Sequence, residues 1–137
     1  MSRPLPVPVI DDHDTGGYFR AAQEGKLAIL FCKECDRSIH LPRPFCPNCH
    51  TDRVEWREVS PHGAIYSWTV VERQSHPAFP VPYTIALVEL DDVPGVRLLT
   101  HFECRPELSE GMPVTAVFDD VREGDVVLPR WVPEAGT

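Results

Sequence analysis

Apolar positions in this 137-residue chain recur at helical spacing once, near the start, and at strand spacing afterwards. Prolines at 4, 6 and 8 make residues 1–10 an extended segment, either laid on the fold or disordered. Asp14 and Thr15 are placed to cap a short helix that runs to about Glu24. Tyr18, Phe19 and Ala22 give that helix an apolar face, and Gly25 supplies a stop. Leu27 to Phe31 then reads as a strand, and Arg53 to Glu58, with Val54 and Trp56 on alternate positions, as its return. Five further strands are predicted: Ala64 to Glu72, Tyr83 to Leu90, Val96 to Phe102, Val114 to Asp119 and Val126 to Trp131. The turn Asp91-Asp92-Val93-Pro94-Gly95 ends the second of these. Five strands in about 70 residues suit a small Greek-key barrel of the OB-fold type. The 15 prolines favour many short elements over long helices.

Between the first two strands lie Cys32-Lys-Glu-Cys35 and Cys46-Pro-Asn-Cys49, ten residues apart. Each pair forms a knuckle that can place two thiolates on one metal, and the intervening hairpin brings the knuckles together. Four soft thiolates with no open position favour structural zinc over a rubredoxin-like iron. Such zinc contributes about 10–16 kcal/mol to the folding of small peptides, which suits a segment too short to bury a core. Asp36 and His50 stand where knuckles often carry glycine and are read as conformational residues. His40 and His50 are not needed as ligands, because the cysteines complete the shell. Cys104 is expected to be a small buried apolar residue. The reading is therefore mainly β: an extended segment and helix over 1–26, a zinc ribbon over 27–58 and a five-stranded OB-fold barrel over 59–137.

Nothing in the sequence spells a catalyst. It has no nucleophile elbow, phosphate loop, dinucleotide fingerprint or His-Glu-x-x-His helix. His13, His62, His76 and His101 fall on different elements. Tyr66 and Trp68, with Ala64 and Val70, read as barrel core. Phe79 differs, since it sits in a loop stiffened by Pro77, Pro80 and Pro82, and a rigid apolar loop loses little entropy on docking. Phe79, Tyr83, Arg130 and Trp131 are the candidate contacts to a partner or ligand, because aromatic and arginine side chains tend to carry binding energy.

The chain resembles the zinc-ribbon/OB-fold family of acyl-CoA-associated proteins that accompany thiolase-like enzymes. The resemblance rests on Ala-Ala-Gln-Glu-Gly25-Lys-Leu27, on His40-Leu-Pro-Arg-Pro44 before the second knuckle, and on Gly63-Ala-Ile-Tyr-Ser-Trp-Thr-Val70. It continues through Pro82-Tyr-Thr-Ile-Ala-Leu-Val-Glu-Leu90, Gly111-Met-Pro-Val114 and Leu128-Pro-Arg130. It implies a non-catalytic accessory subunit of a thiolase, acyltransferase or thiolase-like aldolase acting on CoA thioesters, including those of steroid side-chain degradation. The partner would hold the catalytic residues, and the thioester would be shared with it.

Charge separates this reading from its main rival, a single-strand nucleic-acid binder. Residues 1–56 hold seven basic and eight acidic side chains, whereas residues 57–137 hold six arginines, no lysine and 13 acidic residues. An OB-fold that tracks phosphates needs a basic groove, and this half carries a net −7. With no long apolar run and no signal-peptide pattern at the start, a cytoplasmic, membrane-free location is expected. We expect negligible affinity for single-stranded DNA or RNA at physiological salt. Micromolar binding that weakens steeply with added salt, measured by fluorescence anisotropy, would contradict this.

Overall fold

The computed structural model describes residues 5–134, so the first four residues of the proline-spaced segment lie outside it. One helix, α1 (Gly16–Gln23), precedes seven strands: β1 (Leu27–Cys32), β2 (Val54–Val59), β3 (His62–Val71), β4 (Tyr83–Leu90), β5 (Arg97–Glu103), β6 (Pro113–Arg122) and β7 (Val126–Pro133).

Thr15 occupies the N-cap of α1, but its hydroxyl does not cap the helix. That hydroxyl donates instead to the Asp12 carboxylate at 3.0 Å, which also accepts the Thr15 backbone N–H at 3.0 Å. The helix ends in a Schellman turn. Lys26 N–H reaches the Ala21 carbonyl and Gly25 N–H the Ala22 carbonyl, each at 3.0 Å, with Gly25 at φ 73°.

Strand β1 is buried along almost its whole length because it has a core on each face. Leu27 and Ile29 point into the larger cluster with Val59, Ile65, Val88, Leu90, Val114 and Trp131. Leu30 and Cys32 point the other way, into a smaller cluster with Ile39 and Cys46. Strand β2 pairs antiparallel with β1, from Leu27 opposite Val59 to Cys32 opposite Val54. The helix packs on β1 and also on β7, tying the hairpin to the last strand. It approaches closely at Gly17, where a Cβ would fall about 2.2 Å from the Trp56 ring.

The remaining strands form an antiparallel sheet in the order β5-β4-β3-β6-β7. β4 shows the cleanest alternation, with Thr84, Ala86, Val88 and Leu90 buried and the residues between them half-exposed. β3 is shared by the two halves of the sheet. It pairs with β4 along most of its length and with β6 only at His62–Ala64. The outer strands β5 and β7 touch, yet no ladder joins them. The architecture is therefore OB-like with an open seam, not the closed barrel that five strands suggest.

Three side chains are placed differently from the sequence reading. A bulge between Ile65 and Ser67 breaks the alternation of β3. Ile65 is buried, while Tyr66 is 45% exposed, with the Arg97 guanidinium stacked 3.7 Å from its ring centroid. Trp68 is 42% exposed and shares a shallow hollow with Leu108 and Met112. Cys104 is exposed, not buried, because it follows the end of β5 in a left-handed turn with φ 57°. Among the described residues no helix is long and apolar enough to cross a membrane.

Gly63 marks the tightest strand contact in the sheet. A Cβ there would lie 2.6 Å from the Glu89 carbonyl oxygen and 2.7 Å from Val88 Cγ1. Backbone cannot swing aside as a flexible side chain can, so Gly63→Ala should cost about 1–3 kcal/mol of stability. A urea titration with an unchanged midpoint would show that β3 and β4 can separate freely.

Candidate metal centre and interface cleft

The two knuckles repeat one backbone plan. Cys32 N–H donates to the Arg37 carbonyl and Cys46 N–H to the Thr51 carbonyl, both at 2.8 Å. Asp36 N–H returns to the Cys32 carbonyl at 3.0 Å and His50 N–H to the Cys46 carbonyl at 2.8 Å. Closing such a tight turn needs a left-handed residue, and Asp36 and His50 take φ of 59° and 65°. Asp36 has a second task, accepting a charge-assisted hydrogen bond from Arg57, which also pairs with Glu55 at 2.7 Å.

This plan brings all four sulfur atoms within 4.8 Å of one another. Cys32 Sγ lies 3.6 Å from Cys49 Sγ, and Cys35 Sγ lies 3.6 Å from Cys46 Sγ. Thiolates about 2.3 Å from a tetrahedral zinc would stand about 3.8 Å apart, so the cage fits the ion. Backbone N–H groups point at the sulfurs, from Cys35 to Cys32 Sγ and from Asn48 to Cys46 Sγ, each at 3.4 Å. The Cys49 and Asn48 N–H groups lower the Cys46 thiol, whereas burial and the neighbouring sulfurs raise Cys35 and Cys49, so a cation among the four is what lets them all ionise. Cys32, Cys35, Cys46 and Cys49 thus form a site for one structural zinc ion. With four protein ligands it keeps no open position for substrate or water.

A second feature lies along the open seam. Phe79, Tyr83 and His101 form an aromatic cluster with ring centroids 5.1–6.1 Å apart. Phe79 and His101 border a cleft of about 680 Å³, also lined by Arg122 and Arg130, and Tyr83 packs behind them. Both arginines are engaged. Arg130 donates to the two Asp119 oxygens at 3.0 and 2.7 Å, and Arg122 donates to Asp120 at 3.2 Å and to the Pro6 carbonyl. Of the four interface candidates, Phe79 and Arg130 keep accessible surface at this cleft, while Tyr83 is half-buried beside Phe79 and does not line it. Trp131 is 1% exposed, because opposite buried Ala116 its indole completes the core. Its indole therefore shapes the cleft from beneath.

His101 and Arg122 join the cleft without having been singled out from sequence. His101 Nε2 is buried with no hydrogen-bond partner, and burial holds the imidazole below its usual pKa. The arrangement closest to a catalytic relay is elsewhere, where His62 Nδ1 meets Glu134 at 2.9 Å and Thr115 Oγ1 at 3.2 Å. Both partners crowd the same ring nitrogen, and Thr115 also donates directly to Glu134. A relay needs the nucleophile on one nitrogen and the acid on the other, so this triangle only joins β3 to β6 and the chain end.

A four-thiolate ribbon whose hairpin shares its core with an open five-stranded sheet defines a zinc-ribbon/OB-fold protein. Residues 19–55 match the family model described as "ChsH2, rubredoxin-like zinc ribbon domain", and residues 56–119 match "ChsH2, C-terminal OB-fold domain". The chain belongs to this ChsH2, or DUF35, family. It is similar to a solved structure titled "Ltp2-ChsH2(DUF35) aldolase", with 33% identity and a TM-score of 0.78 over 96% of this chain and 98% of that one. It is 39% identical over 111 residues to a "Probable enoyl-CoA hydratase alpha subunit" of Thermomonospora curvata, covering 80% of this chain and 34% of that protein. It is 38% identical over 85 residues to a "DUF35 domain-containing scaffold protein" of Pyrococcus furiosus, covering 61% of this chain and 62% of that protein. It thus spans about a third of the first of these relatives and under two thirds of the second.

Purified protein should contain one zinc per chain by elemental analysis; iron, or no metal, would contradict the assignment. Cys46→Ser should lose the ion. Amides of residues 32–51 should then lose hydrogen-exchange protection while those of β4 keep theirs.

Proposed function

We propose that this chain is a non-catalytic accessory subunit of a thiolase-like enzyme that acts on acyl-CoA thioesters. It stabilises that enzyme and contributes one wall of its CoA or acyl site. The observation that carries this reading is the likeness, along nearly the whole chain, to the solved structure titled an aldolase of Ltp2 and ChsH2(DUF35). Among partner types this favours a retro-aldolase over a thiolase or an acyltransferase. The scaffold name of the Pyrococcus relative points the same way. The Thermomonospora name, a hydratase subunit, belongs to a protein two thirds of which lies outside the matched part. That leaves room for its chemistry to sit elsewhere.

The chain's own residues support an accessory role. Its zinc shell is saturated, so the ion cannot act as a Lewis acid through an open position. Among the described residues, no hydroxyl or thiol nucleophile is paired with a base in relay geometry. The open seam instead offers a contact surface. Phe79 and Tyr83 supply rigid aromatic area, and Arg130 is held in a fixed fork by Asp119. Such residues carry binding energy at protein interfaces. The acidic surface of residues 57–137 would repel free CoA phosphates, so the partner supplies most of the cations.

Co-expression with a thiolase-like enzyme from the same organism tests the reading. The enzyme should be more soluble and more active with this chain than without it, and the two should co-purify. Equal activity alone and no co-purification would refute the proposal. Phe79→Ala and Arg130→Ala should each weaken assembly about tenfold or more while leaving zinc content at one per chain. Unchanged assembly in both would move the interface away from the seam.

A further inference from the structure

A cavity of about 540 Å³ opens where the N-terminal segment, α1, the β1–β2 hairpin and β5 meet. Its walls are Tyr18, Phe19, Ile29, Leu30, Trp56 and Leu98, closed at one side by Pro8 and Val9. Its size falls within the range of small-molecule sites. It shares no lining residue with the seam cleft, and a smaller hollow bordered by Tyr18, Phe19, His101 and Arg122 lies between the two.

The chemistry of the lining is one-sided. No lysine or arginine borders the cavity. The one carboxylate, Asp12, is already committed to the Thr15 and Asp14 backbone N–H groups and the Thr15 hydroxyl. His40 is kept below its usual pKa by desolvation, and burial raises the Tyr18 phenol to about 12, so both are uncharged at neutral pH. A charged ligand would find no counter-ion here, whereas water in so apolar a hollow finds few hydrogen bonds. Displacing that water with hydrocarbon is favourable.

We propose that the cavity between α1, the β1–β2 hairpin and Leu98 is a binding site for an uncharged aliphatic or alicyclic small molecule. The occupant is a molecule and not a partner's side chain, because four different segments line the hollow and buried Ile29, Leu30 and Leu98 lie at its base. A docking protein would instead meet the exposed rim. The site needs no partner enzyme, so the inference stands or falls separately from the accessory role.

The test uses the full zinc-loaded chain, methyl-labelled for NMR and titrated with 1-decanol below its aggregation limit. Saturable shifts are expected at the methyls of Ile29, Leu30 and Leu98 and at the Trp56 indole N–H, with one site per chain. No saturable shift, or shifts centred elsewhere, would overturn the proposal. Decanoate ion should bind at least tenfold more weakly; equal affinity would refute an uncharged ligand. Leu98→Phe, which fills the cavity from its wall, should weaken decanol binding at least tenfold, and unchanged affinity would refute the site. Where that variant fails to fold, the shift map of the unaltered chain decides.

Discussion

Strand β1 has to satisfy two interiors at once. Its side chains alternate, as in any strand, but neither face meets water. Leu27 and Ile29 complete the interior of the five-stranded sheet, and Leu30 and Cys32 complete the interior of the metal ribbon. The ribbon alone has too little apolar surface to fold, and zinc makes up the deficit by fixing both knuckles at one point. The sheet also lacks a complete wall, since its outer strands do not pair and the hairpin covers part of what they leave open. Each unit therefore lends the other a surface. The antiparallel register of β1 and β2 keeps the two alternations in phase, and a one-residue slip would turn Cys32 away from the metal.

Charge pairing follows from the same economy of surface. Five of the six arginines in residues 57–137 are matched to acidic groups: Arg57 to Asp36 and Glu55, Arg97 to Glu89, Arg105 to Glu72, Arg122 to Asp120, and Arg130 to Asp119. These pairs are largely exposed, so each adds little stability. Their effect is on function. They hold the planar guanidinium groups in place and leave the excess acidic charge unneutralised. An OB-type sheet in this state offers aromatic surface at Tyr66, Trp68 and Phe79, but no track of free cations for a phosphate backbone.

Local features were legible in the sequence, and features that depend on cross-strand pairing were not. Tyr83 to Leu90 is a strand with the bounds its alternation predicts, and the Cys-x-x-Cys spacing announced the metal cage. Gly25 ends the helix because its signal is a single residue. Tyr66 turns outward because Ile65 before it turns inward, and the bulge between Ile65 and Ser67 puts Trp68 on the other face from Tyr66, which no periodicity in β3 alone reveals. Trp131 reads from sequence as an interface contact because tryptophan tends to carry binding energy and Arg130 stands beside it. Its burial follows from its place opposite Ala116 on β6. The seam cleft draws on residues near 5, 78–82, 101–104, 120–122 and 130–131, and only the strand order brings these segments together. His101 could have been suspected from its place on a β-branched and aliphatic strand, but its orphaned Nε2 is a property of packing.

The N-terminal segment links the cleft and the cavity. Leu5 borders the cleft, the Pro6 carbonyl accepts a hydrogen bond from Arg122, and Pro8 and Val9 form one side of the cavity. Two of the five residues 5–9 are proline, whose fixed φ narrows the ways the segment can bend. Beyond it, Ile10 accepts a 3.5 Å hydrogen bond from Arg20 of α1, so the strap is held at both ends by arginines on different elements. One short stretch of backbone therefore borders both hollows, and its contact with Arg122 at the cleft and with Arg20 beside the cavity fixes where each of them ends.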